Sequence, residues 1–271
     1  LLKNLGMGTW HLGEGSKEKY QQEVATLRYG LNQGITLIDT AEMYGQGAAE
    51  SLVGEAIQPF VRTNLTIVSK FYPWHANAQK LRTSLAASLK RLQTDYLDLY
   101  LLHWRQDTNL AEIVKNLENL KQEGLIHQWG VSNFDVADIK ELLNIPDGNQ
   151  CFANEDLYNL GSRGVETSLL ELQRQQKIRF IAYSPFGSEN SRYLEIKPQL
   201  RQMARKKGIT VHSLLLAWVL QQGVYCIPKA SSIKHLAENL TALDVSFSDD
   251  ELSQLNMLYP RPINKVSLDM I

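Results

Sequence analysis

The stretch Ile35–Gly47, ITLIDTAEMYGQG, sets the reading of the whole chain. Ile35, Leu37 and Ile38 form an apolar run of strand character, Asp39 stands at its carboxyl end, and Tyr44 and Gly45 fall on the loop that follows. An acid in that position is partly desolvated and needs a partner. Taken alone, the segment also reads as an Asp that caps the next helix and a Tyr that packs, so the surrounding strands have to decide.

Outward from this segment, short apolar runs alternate with longer amphipathic ones. Eight such runs end near Trp10, Asp39, Lys70, His103, Ser132, Glu155, Ser184 and Lys229. Strand then helix, repeated eight times, is the pattern of an α/β (β/α)8 TIM barrel, expected here as a single domain over residues 1–271. Leu81, Leu85, Leu89 and Leu92 share one helical face, and Leu110, Ile113, Val114, Leu117 and Leu120 another. Gly34, Gly124 and Gly208 follow helical patterns as C-terminal caps do, while Asp135 and Ser248 occupy N-cap positions.

The rival doubly wound fold normally carries a glycine-rich dinucleotide turn. After Gly6-Met7-Gly8 the third glycine is replaced by His11, and after Gly45-Gln46-Gly47 by Glu50; the expected ribose-binding acid of the second is Lys70. With 28 basic and 29 acidic residues the chain carries a formal charge of -1, which offers no electrostatic footprint for nucleic acid or an anionic membrane. Cys151 and Cys226 form no CxxC pair and read as buried thiols, and the histidines show no metal-binding spacing, so no metal site is expected. No run reaches the roughly 20 apolar residues that span a bilayer. No basic-then-apolar signal opens the sequence at Leu1, which is not a methionine. The expectation is a cytoplasmic protein acting on a small molecule, with no obligatory protein partner.

In a parallel barrel the carboxyl ends of the strands converge on one mouth. That gathers Asp39, Tyr44, Lys70 and His103 from three successive units. A tyrosine, with an ordinary pKa of about 10, is a poor acid; a neighbouring ammonium favours its phenolate, and a carboxylate holds that ammonium in place. His103 can hydrogen-bond the same substrate oxygen and orient a carbonyl. Individually, Lys70 could solvate a strand end and His103 could be a core histidine. Together the four suit proton donation to an oxygen that becomes negative as hydride reaches its carbon.

The residues also carry a family resemblance. GTW at Gly8–Trp10, IDTAEMYG at Ile38–Gly45, VSK at Val68–Lys70, LLHW at Leu101–Trp104, GVSNF at Gly130–Phe134, AYSP at Ala182–Pro185 and IPKA at Ile227–Ala230 occur in the order found in the aldo-keto reductases, and the chain resembles that family from Leu5 almost to its end. The resemblance implies Tyr44 as proton donor with Asp39, Lys70 and His103 completing a tetrad, and NADP(H) as cofactor without a Rossmann fold. It implies Thr9, Trp10 and Asp39 as cofactor contacts, Ser132, Asn133 and Glu155 around the carboxamide, and Tyr183 stacked on the nicotinamide. Ser184, Pro185, Phe186 and Gly187 would follow the pyrophosphate, Lys229, Ser231, Ser232 and His235 the 2′-phosphate, and Glu238 and Asn239 the adenine.

Two departures stand out. His235 occupies a position where the family often has Arg, and an imidazole lacks the guanidinium fork. Glu155 replaces a frequent Gln; an ionised carboxylate accepts hydrogen bonds and cannot donate. Trp10, Trp74, His103 and Trp104 are expected to wall the substrate pocket. A short connection after His103 and little chain after Tyr259 imply an open mouth. The GTWHLGE opening, the SKFYPW segment and the LDMI ending resemble the bacterial methylglyoxal reductase branch, making small aldehydes and 2-oxoaldehydes the expected substrates. A nicotinamide-binding sensor or regulatory barrel with little turnover, and a barrel isomerase or lyase, are the competing classes.

Overall fold

Side chains alternate across a strand, so each short apolar run sends every second residue inward and the others toward the helices. The computed structural model describes residues 4–188 and 194–271. Among the described residues the elements run β1 (Gly6–Gly8), α1 (Lys17–Asn32), β2 (Leu37–Asp39), α2 (Ala48–Ile57), β3 (Thr66–Phe71), α3 (Ala78–Leu92), β4 (Leu97–Leu102), α4 (Leu110–Gln122), β5 (Ile126–Ser132), α5 (Val136–Leu143), β6 (Ala153–Leu157), α6 (Leu169–Gln175), β7 (Arg179–Tyr183), α7 (Pro198–Lys206), α8 (Val211–Gln221), β8 (Tyr225–Cys226), α9 (Ile233–Thr241) and α10 (Asp249–Leu258).

The eight strands pair in parallel in sequence order. The sheet closes where Cys226 N donates to Asn4 O at 2.8 Å and Gly8 N to Pro228 O at 3.1 Å, with parallel bridges Leu5–Cys226 and Gly8–Lys229. This is the expected (β/α)8 barrel. Strand β8 stops at Cys226, short of the expected Lys229. Beyond it Ile227 N still donates to Ala182 O at 3.1 Å, but Pro228 lacks an N–H for the ladder and contributes its carbonyl alone, ahead of the Lys229 bridge. Strand β6 runs on to Leu157, past the expected Glu155.

Inside the barrel, Val68, Leu99, Leu101, Ala153, Ile181 and Ile227 form one apolar cluster. The next inward positions toward the carboxyl ends are Lys70, His103, Glu155, Tyr183 and Lys229, so strand parity alone lifts polar chemistry above an apolar floor. Outward neighbours such as Ile67, Phe71, Tyr100, Trp129 and Phe180 join the larger core under the helices. The helix stripes read from spacing face that core: Leu81, Leu85 and Leu92 of α3 are buried, with Leu89 partly so, and all five named residues of α4 are buried.

Gly34, Gly124 and Gly208 have φ of 91°, 74° and 68°, the left-handed backbone expected past a helix end. Asp135 and Ser248 close capping boxes with Asp138 and Glu251. Both cysteines are free and buried; burial pushes the Cys151 thiol up to about 12. Among the described residues no helix is long and apolar enough to cross a membrane.

The tightest strand contact lies in β5. A Cβ at Gly130 would stand 2.3 Å from the backbone oxygen of Ala153 on β6, an atom that cannot move without the sheet. Gly130→Ala is therefore expected to cost about 3 kcal/mol, measured as a lower urea midpoint at unchanged slope.

Candidate active site

After β2 the chain turns within a few residues. Gly45 and Gln46 have φ of 56° and 54°, and Gly47 has φ of 92° before α2 begins. This left-handed run folds the loop back so that Tyr44 packs with Ala41, Ala49, Trp10 and Met43 over the strand end. The glycines that mimic a phosphate motif thus shape the turn that presents the phenol.

Under that phenol lies the Lys70 ammonium, fully buried. Its Nζ donates to Asp39 Oδ1 and Oδ2 at 2.6 and 2.7 Å, to Thr40 O at 3.2 Å and to Tyr44 Oη at 3.2 Å. Glu155 Oε1 stands 3.3 Å away from the far side of the barrel. The His103 ring meets Tyr44 edge-on, with centroids 5.8 Å apart. The four sequence-derived residues therefore converge on one point.

Above them opens a cavity of about 410 Å³, within the range of small-ligand sites. Of the expected contacts, Thr9, Trp10, Asp39, Tyr44, His103, Ser132, Asn133, Glu155, Tyr183, Ser184, Pro185, Phe186, Gly187, Lys229, Ser231 and His235 line it. Tyr183 Oη donates to Asn133 Oδ1 at 2.7 Å, and Asn133 Nδ2 donates to Ser132 Oγ and to His103 O, both at 3.1 Å. Asn133 and Ser184 adopt φ of 60° and 51°, left-handed backbone outside glycine, and both sit at strand ends on the cavity wall.

Other expected residues stand outside the cavity lining. Trp74 and Trp104 are not among the cavity-lining residues. The Trp74 ring is half exposed and stacked on Tyr72 at 4.3 Å, and Trp104 is wedged between Trp74 and His103, outside the wall. Trp10, Tyr44, Tyr183 and Phe186 supply the aromatic surface instead. Ser232, Glu238 and Asn239 also lie beyond the lining. The Ser232 hydroxyl is used to cap α9, accepting from His235 N at 3.3 Å. Glu238 and Asn239 are further along that helix, where the Nδ2 of buried Asn239 has no partner.

The short tail crosses the rim of the cavity. Lys265 Nζ donates to both Asp135 oxygens at 2.6 Å, Ser162 Oγ donates to Asp269, and Ile271 reaches the cavity wall beside Tyr183. Gly8, His11, Met43, Ser188, Ile227 and Ile271 line the cavity and were not singled out from sequence as contacts. Met43 and Ile227 lie inside the quoted motifs and could have been found; Ile271 has no local signal, because its place depends on where the tail is tied.

The cavity has two chemically distinct ends. At one, the Tyr183 ring offers a flat face and Glu155 Oε2 is a buried polar atom without a partner. At the other, Lys229, Ser231 and His235 gather cationic and hydroxyl groups. A long ligand with a polar aromatic ring at one end and a phosphate at the other fits this donor set.

The chain matches the sequence model of the Aldo/keto reductase family over residues 4–260. It is 46% identical over 273 residues to methylglyoxal reductase YeaE of Escherichia coli (strain K12), covering 100% of this chain and 95% of that protein. It is 28% identical over 288 residues to aldo-keto reductase family 1 member A1 of Homo sapiens, covering 94% and 85%. Its fold superposes on the crystal structure of an aldo-keto reductase from Klebsiella pneumoniae in complex with NADPH with a TM-score of 0.95, at 48% identity and coverage of 99% and 95%.

Burial and charge set the protonation of the site. Burial alone would deprotonate Lys70, but Asp39, Glu155 and Tyr44 more than offset it and the ammonium is held above its ordinary value. Tyr44 corrects a sequence expectation: burial raises the phenol, Lys70 pulls it back, and Asp39 and Glu155 push it up again, so the net direction is upward. His103 is lowered to about 3, first by burial and then by Lys70, and is a neutral imidazole at working pH. Side-chain ¹⁵N NMR is accordingly expected to show no protonation of His103 between about pH 8 and about pH 5, a range in which an unperturbed imidazole titrates.

Proposed function

The chain belongs to the aldo/keto reductase family, and on that premise we propose that it reduces small aldehydes and 2-oxoaldehydes to alcohols with NADPH, Tyr44 acting as the general acid. The observation that carries this reading is the Lys70 ammonium, which donates to the Asp39 carboxylate and to Tyr44 Oη at once. Similarity to a methylglyoxal reductase supports the 2-oxoaldehyde class. Two free, buried cysteines accord with a cytoplasmic setting.

When bound, the reduced nicotinamide supplies hydride to the carbonyl carbon. The protein's residues handle the oxygen. In the resting site Tyr44 is a protonated phenol, as a donor must be. Its proton moves to the substrate oxygen, and Lys70 stabilises the phenolate left behind. Asp39 keeps the ammonium charged and aimed. Neutral His103 offers a ring N–H to the same oxygen, fixing the carbonyl between two donors. The Tyr183 ring and the Ser132–Asn133 pair would hold the nicotinamide against this point, and Lys229 with Ser231 and His235 would bind the 2′-phosphate.

Tyr44→Phe removes the proton and little else. Its NADPH-dependent reduction of methylglyoxal is expected to fall about 10³-fold, with NADPH binding, followed by fluorescence, unchanged. Near-normal turnover would refute the role of Tyr44. A wild-type protein that binds NADPH yet reduces neither methylglyoxal, glyceraldehyde nor an aromatic aldehyde would favour the sensor reading.

A further inference from the structure

Glu155 takes no part in the proton transfer described above, yet it is buried on β6 with its carboxyl facing Lys70. The ammonium carries three protons and has more acceptors than that around it. Asp39 takes the two shortest contacts, at 2.6 and 2.7 Å, Thr40 O and Tyr44 Oη lie at 3.2 Å, and Glu155 Oε1 is the most distant at 3.3 Å. These four shorter contacts already outnumber the three protons, so none remains for Glu155.

A second observation concerns the two acids themselves. Glu155 Oε1 has Lys70 as its neighbour at 3.3 Å, and Glu155 Oε2 is buried with no hydrogen-bond partner. Two ionised carboxylates beside one ammonium would leave a net negative charge in a desolvated site. Asp39 already holds the lysine through both oxygens, so the proton belongs on Glu155.

We propose that Glu155 works as a neutral carboxylic acid, leaving the Lys70 charge offset by one anion only. The proposal rests on the reductase reading of the site and makes Glu155 a positioning residue that acts through Lys70. Were it ionised, a second anion against Lys70 would hold the Tyr44 proton more tightly and weaken the donor. A protonated acid presents both a donor and an acceptor, where an ionised one presents acceptors only.

The other groups facing it agree. Burial, and then Asp39, push Glu155 well above the usual carboxylate range, with Lys70 opposing. Tyr44, on the turn after β2, and Tyr183, on β7, face the same carboxyl and are both raised by burial. Ser132 on β5 does not titrate. The Glu155 carboxyl starts from an ordinary value far below that of a phenol or an ammonium, so its proton is the one expected to leave as the pH rises.

Difference infrared spectroscopy on the cofactor-free full chain reads this proton directly. Wild type at neutral pH is expected to show the carbonyl band of a protonated carboxyl that disappears in Glu155→Gln and, in wild type, on raising the pH. Asp156→Asn serves as control, because Asp156 is a separate buried acid that is also raised. Carboxylate bands alone in the wild-type minus Glu155→Gln difference would overturn the proposal, and the wild-type titration decides it if the variant does not fold. In turnover, wild-type kcat is expected to fall about tenfold per pH unit above that ionisation, while Glu155→Gln shows no such limb; identical alkaline limbs would overturn it. The infrared band is read without NADPH, so failure of aldehyde reduction would count against the reductase reading and leave the proton on Glu155 separately decided.

Discussion

A lysine ammonium buried to zero exposure is the constraint on which the rest of this structure depends. Removing such a group from water costs several kcal/mol even after relaxation, and Lys70 is kept charged chiefly because Asp39 grips it through both carboxylate oxygens. The pair comes from adjacent strands, β2 and β3, in a fixed parallel register with Asp39 opposite Val68. Two residues further along β3, strand parity returns Lys70 to the inside of the barrel, next to the acid. The third partner, Glu155, comes from β6 across the barrel, so the ion cluster is complete only when the sheet has closed.

Charge accounting around this lysine explains the protonation of its neighbours. His103, on the next strand, is kept neutral partly by Lys70 itself, which makes the imidazole a hydrogen-bond donor and not a competing cation. Tyr44 feels opposing fields: Lys70 draws its proton off while Asp39 and Glu155 hold it. How many of those two acids are ionised therefore bears directly on the phenol. The proton placed on Glu155 follows from the same accounting, since one ammonium can neutralise one buried carboxylate well and two only poorly.

The barrel supplies rigidity below and adjustable detail above. Under the site, the cluster of Val68, Leu99, Leu101, Ala153, Ile181 and Ile227 packs the interior, and it fixes the strand ends that carry Lys70, His103 and Glu155. Around the rim the chain accepts unfavourable backbone: Gln46, Asn133 and Ser184 are left-handed without being glycine. The last residues are tied across the rim by Lys265 to Asp135 and by Ser162 to Asp269, which brings Ile271 to the cavity wall.

The local sequence determined the elements and their order. Apolar alternation marks the strands, the leucine spacing of α3 and α4 marks their buried faces, and glycine and Asp or Ser at the helix ends mark the caps, because each of these is decided by a few neighbouring residues. It also picked out Asp39, Tyr44, Lys70 and His103, since residues at the carboxyl ends of parallel strands must share one mouth. Tertiary structure decided what depends on distant chain. Trp74 and Trp104 look like pocket walls in sequence, but they are taken up by packing with Tyr72 and with each other. The upward shift of the Tyr44 phenol comes from burial and from acids on two other strands, which no local pattern encodes. The place of Ile271 follows from ion pairs and hydrogen bonds more than a hundred residues apart in sequence. Periodicity and caps are short-range effects and can be read along the chain; desolvation and charge pairing are set by what folding brings together.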